Sequence, residues 1–124
     1  MRSPLALAAA FALSGVLAAG CASTEVAPDQ IAAPKAKIAA AEEAGAKENP
    51  DASLHLKLAN DQYDRATKMM KEGDGERAKR MLDRASVDAE LALELARLDT
   101  TRGQANDAMK SIDQLRKEHR MLEE

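Results

Sequence analysis

The chain has 124 residues, of which 45% are hydrophobic and only 2% aromatic, and its net charge is −3. Because a nucleic-acid-binding surface is basic, this mild acidity argues against a nucleic-acid partner. The length allows one small domain at most. Abundant alanine and scarce aromatic residues favour helix over sheet, and they limit the apolar area that a core can bury.

The first 20 residues have the order of a secretory signal peptide. Arg2 precedes an apolar run from Leu5 to Leu17, and small residues follow that run. Basic start, apolar middle and small-residue exit are the three parts of such a signal. The run is shorter than the roughly 20 residues that a membrane-spanning helix needs. We therefore expect residues 1–20 to be removed and exclude them from the fold.

Cys21 is the only cysteine, and it stands where this signal would be cleaved. The box before it consists of Leu17, Ala18, Ala19 and Gly20. This arrangement resembles bacterial lipoproteins, in which the cysteine after such a box receives a diacylglycerol and becomes the first mature residue. The resemblance implies membrane attachment through acyl chains on Cys21. Because Ala22 is not an aspartate, it also implies the periplasmic face of the outer membrane. The alternative is a buried free cysteine or one half of an intermolecular disulfide.

Residues 21–29 are small or polar and include a proline, so we interpret them as a lipidated tether. The remaining segment, 30–124, is the predicted alanine-rich helical domain. Its first helix is expected to begin at about Gln30 or Pro34, because proline fits a first helical turn. Gly45 is expected to end this helix.

Two longer helices are predicted next. Asn49 can cap the second helix and Pro50 fits its first position. Residues spaced by four and three predict one buried face on it: Ala52, Leu56, Ala59, Tyr63, Ala66 and Met70. Leu54, Leu58 and Met69 are expected to widen this face. Gly73 and Asp74 are expected to end this helix and to cap the third, which repeats the pattern at Ala78, Leu82, Ala85, Ala89, Ala92 and Ala96. The predicted fold is all-α: an antiparallel helical hairpin with a long C-terminal helix, a short N-terminal helix and coiled-coil-like packing.

The third helix has no predicted stop before the end of the sequence, although Gly103 weakens it. Beyond that glycine the apolar spacing returns at Ala105, Ala108, Ile112, Leu115, His119 and Leu122. This stripe has to be buried against the first helix or against another chain. We favour another chain, because the first helix is short. Ile112, Leu115 and Leu122 are therefore candidate partner-binding residues.

Tyr63 is the only aromatic residue outside the signal. It is a further candidate partner-binding residue. The alternative, which we favour, is that it is the one large side chain in a seam of alanines. Met69, Met70 and Met81 allow a similar choice between an adaptable binding surface and, as we favour, filling of the hairpin end.

The segment from Ile38 to Ala96 resembles short proteobacterial lipoproteins that carry a helical domain of unknown function. The resemblance rests on "AKIAAAEEAGA" and on the glycine–aspartate turn in "KEGDGERAK" between two alanine-spaced helices. Some members of that family continue into an OmpA-like peptidoglycan-binding domain. No such domain follows in this sequence, so the resemblance does not carry peptidoglycan binding over to it. The same segment is similar to one tetratricopeptide helix pair, but a solenoid needs about three repeats.

No pattern of catalytic, cofactor-binding or metal-binding residues is found. His55 and His119 have acidic neighbours but lack the paired spacing of a metal site. The serines lack the glycine context of a nucleophile elbow. We therefore expect no enzyme activity, no cofactor and no metal.

These patterns favour a lipid-anchored periplasmic protein with a structural, scaffolding or adaptor role at the outer membrane. Its partner would be a second copy or another envelope protein. The alternative is a carrier of a small envelope ligand, such as a lipid or a muropeptide, bound between helices. Such a carrier needs an apolar pocket, and alanine-packed helices leave little room for one.

Overall fold

The structure, a computed structural model, describes residues 25–123. This part of the chain forms three helices: α1 (Pro28–Glu43), α2 (Pro50–Lys71) and α3 (Gly75–Glu123). The predicted all-α fold, with a helical hairpin and a long C-terminal helix, is confirmed. The signal, its cleavage box and Cys21 lie outside the described residues.

α1 begins earlier than predicted. Its first residue is Pro28, inside the segment interpreted as the tether, and Pro34 lies within the helix and is buried. Pro28 therefore takes the first-turn role expected of Pro34, since a first-turn proline lacks only an N–H that would be unpaired anyway. The backbone hydrogen bond that Pro34 cannot form is offset by its burial in the core.

Both turns between helices are built on a glycine with positive φ. Gly45 has φ of 85° and Gly73 has φ of 81°. After α1, the Ala46 N–H donates to the Ala41 carbonyl at 3.0 Å; after α2, Asp74 donates in the same way to Met69 at 2.9 Å. These bonds define the Schellman motif, which pairs the last helical carbonyls and reverses the chain.

Side-chain caps begin the two longer helices as the sequence predicts. Asn49 Oδ1 accepts a hydrogen bond from the Ala52 N–H at 2.8 Å. Asp74 Oδ1 accepts from the Arg77 N–H at 3.2 Å. Each cap pairs one of the backbone donors that a helix start leaves without a partner.

The helices form an antiparallel bundle. Val26 and Ile31 pack against a buried cluster at the α2–α3 turn, whereas Ile38 belongs to the cluster at the opposite end of the hairpin. α1 therefore runs parallel to α3 and antiparallel to α2, and it contacts both.

Alanines make up most of the core. In the described residues the buried apolar side chains on α2 and α3 are Ala52, Leu56, Ala59, Ala66, Ala78, Leu82, Ala85, Ala89, Ala92 and Ala96. Small side chains on facing helices let the backbones approach closely. Leu54 and Leu58, which we expected to widen this face of α2, are instead exposed.

α3 is a single continuous helix through Gly103. The hydroxyl groups of Thr100 and Thr101 donate to the carbonyls of Ala96 and Arg97 at 3.2 and 2.9 Å. These side chains bond within the helix instead of interrupting it. Ala96 is the last buried residue, and every residue from 97 to 123 is exposed. We call residues 97–123 the projecting segment; it extends about 40 Å beyond the bundle.

Candidate functional site

The projecting segment carries large apolar side chains that nothing in the described chain covers. Ile112 is 49% exposed, Leu115 64% and Leu122 86%. The structure therefore brings the three candidate partner-binding residues onto one open helix face. Burial of these residues against the first helix, one of the two predicted alternatives, does not occur, because α1 packs along the bundle and not along this segment.

The same apolar face begins inside the bundle. Val87, Leu91 and Leu98 are also exposed, and their spacing of four and seven continues to Ile112, Leu115 and Leu122. We call these six residues of α3 the outer stripe. Sequence reasoning missed its first half because, before Gly103, it predicted only the buried face of α3, which ends at Ala96. The signal is present in the sequence as a second apolar row on the same helix.

The outer stripe and the buried face lie on different sides of α3. Val87 and Leu91 each stand two residues from the buried Ala89, and Leu98 stands two residues after Ala96. Two residues correspond to roughly 200° around an α-helix. α3 therefore presents one apolar face to α1 and α2 and a second one to solvent.

Charged residues border the outer stripe and form pairs along α3. Arg97 lies 2.8 Å from Glu94, between Nη1 and Oε1. His119 Nδ1 lies 3.7 Å from Glu123 Oε1. All of these side chains are more than half exposed, so the pairs add little to stability. They remain available to a partner that lies along the helix.

Tyr63 does not join the outer stripe. It is partly buried and packs against both core clusters, so it connects the two halves of the bundle. Met69, Met70 and Met81 pack against Ala66, Ala78 and Leu82 at the hairpin end. Their position agrees with the favoured interpretation of these methionines as core-filling side chains.

A polar cluster that sequence reasoning missed connects α2 and α3. Gln62 Nε2 donates to Asp88 Oδ2 at 2.7 Å, and His55 Nδ1 lies 2.9 Å from Asp88 Oδ1. His55 and Asp88 each come directly before a buried residue, Leu56 and Ala89. Polar residues beside the apolar faces of α2 and α3 are the sequence signal from which this cluster could have been predicted.

This cluster links α2 to α3 through side-chain contacts. The nearby hydroxyl group of Ser53 donates to the Pro50 carbonyl at 2.9 Å, within its own helix turn. Across residues 25–123, no three His, Cys, Asp or Glu side chains are grouped as metal ligands. None of the three described helices is long and apolar enough to span a bilayer.

The fold and the outer stripe define a class of protein: an alanine-packed helical bundle in which one helix extends beyond the bundle and carries an exposed apolar face. The chain belongs to the family described as a domain of unknown function, DUF4398, whose model matches residues 22–108. The match includes the whole bundle and the first part of the projecting segment. Neither the curated proteins nor the solved structures contain a match to this chain.

Proposed function

We propose that this protein is a lipid-anchored helical protein of the periplasmic face of the outer membrane, with a structural, scaffolding or adaptor role. The observation that carries the scaffolding role is the outer stripe, an uncovered apolar face on a helix that extends beyond its own bundle. Contiguous exposed apolar surface marks interaction sites. The anchor is supported by Cys21 and the box Leu17-Ala18-Ala19-Gly20.

Lipidation and docking would not compete for the same part of the molecule. α1 starts beside the α2–α3 turn, and the projecting segment leaves from the opposite end of the bundle. Acyl chains on Cys21 would therefore enter the membrane at one end and leave the outer stripe free. Each buried methylene contributes about 0.8 kcal/mol, and two or more chains hold a protein stably.

Mass spectrometry of the protein from separated inner and outer membranes tests the anchor. We expect Cys21 to be the acylated first residue, recovered with the outer membrane. A Cys21→Ala variant should lose the acyl mass and remain an uncleaved precursor. An unmodified Cys21 in the wild-type chain would contradict the proposed anchor.

Leu115→Lys, compared with Met121→Lys, tests the docking role. Both replace an exposed apolar side chain of α3 by lysine, but Met121 lies outside the outer stripe. Chemical crosslinking in intact cells should give a discrete product that Leu115→Lys abolishes and Met121→Lys retains. Equal crosslinking of both variants would contradict a docking role for the outer stripe. Thermal stabilisation by lipids or muropeptides, without such a product, would favour the carrier role instead.

A further inference from the structure

We propose that the partner of the outer stripe is a second copy of this chain, with the two α3 helices packed antiparallel. This inference rests on the proposed scaffolding role and names the partner for it. The association itself does not require the lipid.

The outer stripe has the spacing of a coiled-coil seam. Steps of four and three residues continue without interruption from Val87 to Leu122, over five heptads. The positions between the large apolar residues are Glu94, Thr101, Ala105, Ala108 and His119. A helix partner of matching period would cover most of this seam, from Leu91 to Leu122, whereas a compact partner would cover a shorter part of it.

One antiparallel register pairs these positions favourably. When Ala105 faces the partner's Ala108, Leu98 faces the partner's Leu115 and Leu91 faces the partner's Leu122. The small residues then meet at the centre, where close approach of the helices is easiest. The two seam positions that carry an acid and a histidine also meet, because Glu94 faces the partner's His119. The overlap extends from about residue 90 to residue 123, roughly 50 Å.

The charges beside the seam complement each other in this register. Arg97 lies opposite the partner's Glu118, and the two-fold symmetry repeats this pair. One like-charge pair occurs at the end of the overlap, Asp88 with the partner's Glu123. Asp88 is already paired with His55 and Gln62 within its own bundle, which reduces this repulsion.

A parallel, in-register pair has the opposite charge pattern. There Arg97 would face the partner's Arg102, Glu118 would face the partner's Glu123, and Glu94 would face the partner's Glu94. Like charges beside or within a coiled-coil seam disfavour the pairing that brings them together. The charge pattern of α3 therefore selects the antiparallel arrangement.

The antiparallel pair has a geometric consequence for an anchored protein. The two hairpin turns, and with them the starts of both α1 helices, lie at opposite ends of the paired rod. They are separated by about 95 Å along it, counted at about 1.5 Å per residue from Gly75. Two lipid anchors in one membrane would hold such a rod along the membrane surface.

A charge exchange at Arg97 and Glu118 tests the proposal. The full chain, purified from membranes in a mild detergent, is studied by sedimentation equilibrium. Arg97→Glu and Glu118→Arg should each raise the dissociation constant of the dimer by roughly tenfold, because two symmetric pairs change from attraction to repulsion. The double variant R97E/E118R should restore the wild-type value. Circular dichroism checks that each variant remains helical, as expected because neither side chain packs against the bundle.

The same variants identify the orientation. In a parallel pair each single substitution would turn a like-charge pair into an attraction and strengthen dimerisation. A stronger dimer in either single variant would therefore overturn the proposal. A wild-type chain that stays monomeric at tens of micromolar, or that associates only with a different protein, would also overturn it.

Disulfide crosslinking gives an independent check. A mixture of L98C chains and L115C chains should form a mixed disulfide dimer under mild oxidation. L98C alone should not form one, because the two copies of position 98 are about 25 Å apart in this register. The parental chain controls for Cys21. Disulfide dimers of L98C alone would indicate the parallel pair and contradict the proposal.

The two proposals can fail separately. Acylated Cys21 in a chain without self-association would overturn the antiparallel pair and leave the anchor supported. A mixed L98C–L115C disulfide in a chain with unmodified Cys21 would support the pair and overturn the anchor.

Discussion

Gln62 on α2 donates a hydrogen bond to Asp88 on α3, with 2.7 Å between Nε2 and Oδ2. The other carboxylate oxygen lies 2.9 Å from His55 Nδ1. This cluster connects two helices whose shared face consists mostly of alanine. Alanines interlock weakly, so neighbouring registers of the hairpin differ little in packing. Side-chain hydrogen bonds with defined partners select one of those registers.

Removal of the Asp88 carboxylate should therefore destabilise the bundle. In Asp88→Ala both Gln62 and His55 lose their partner across the hairpin, and a lost partner in a partly buried site costs about 1–2 kcal/mol. The measurement is the free energy of unfolding in urea. Asp107→Ala is the matched control, because Asp107 pairs with Lys110 of the same helix on the exposed surface. Equal effects of both substitutions would show that the Asp88 cluster does not stabilise the hairpin.

Enlargement of a buried alanine should be costly in this core. Ala89 is completely buried where α3 meets the other helices. Ala89→Leu should destabilise the protein by about 1–3 kcal/mol, because the added atoms force the closely packed backbones apart. Ala33→Leu, on the exposed side of α1, should change stability by less than about 0.5 kcal/mol. Thermal unfolding of both variants measures the difference, and similar melting temperatures would contradict close packing at Ala89.

Replacement of the turn glycine after α2 should destabilise the hairpin through the backbone alone. Gly73 has φ of 81°, and a Cβ at this position would have no atom within 4 Å. Gly73→Ala should cost about 1 kcal/mol, since a left-handed conformation is unfavourable for a residue with a Cβ. Gly73→Asn should cost less, because asparagine tolerates this conformation better. The free energy of unfolding is measured in urea. A Gly73→Ala variant as stable as the wild type, or more stable, would contradict the left-handed conformation of Gly73.

Gly103→Ala should have the opposite effect. Gly103 lies inside α3, and a Cβ there would also meet no atom within 4 Å. Alanine should stabilise the local helix by about 0.5–1 kcal/mol, because it restricts the unfolded chain more than glycine does. Hydrogen exchange of amides in the projecting segment should slow by several-fold. Unchanged or faster exchange would mean that α3 is not continuous through Gly103.

The local structure of the hairpin is predictable because its signals are local. Asn49, Gly73 and Asp74 act on backbone groups within a few residues, and each has the role that its residue type and position predict. The alanine spacing on α2 and α3 likewise requires only helical periodicity. The continuity of α3 through residues 99–104 also agrees with a local signal, the absence of proline from this helix.

The errors concern packing between distant parts of the chain. The start of α1 at Pro28 and the burial of Pro34 depend on contacts with the hairpin. Leu54 and Leu58 are apolar but exposed, because the alanine face of α2 already fills the available contact with α3. The His55–Asp88–Gln62 cluster joins residues that are 26 and 33 positions apart. No local pattern specifies such a pair.

The sequence by itself determined the helices of the hairpin, their caps and turns, and the presence of apolar residues at helical spacing near the end of α3. It does so because hydrogen bonding within a helix and apolar spacing are local properties. Only the tertiary structure decided where α1 packs and therefore which face stays open. With α1 on the bundle, the outer stripe from Val87 to Leu122 lies opposite the buried face, and its burial requires a partner outside the described chain.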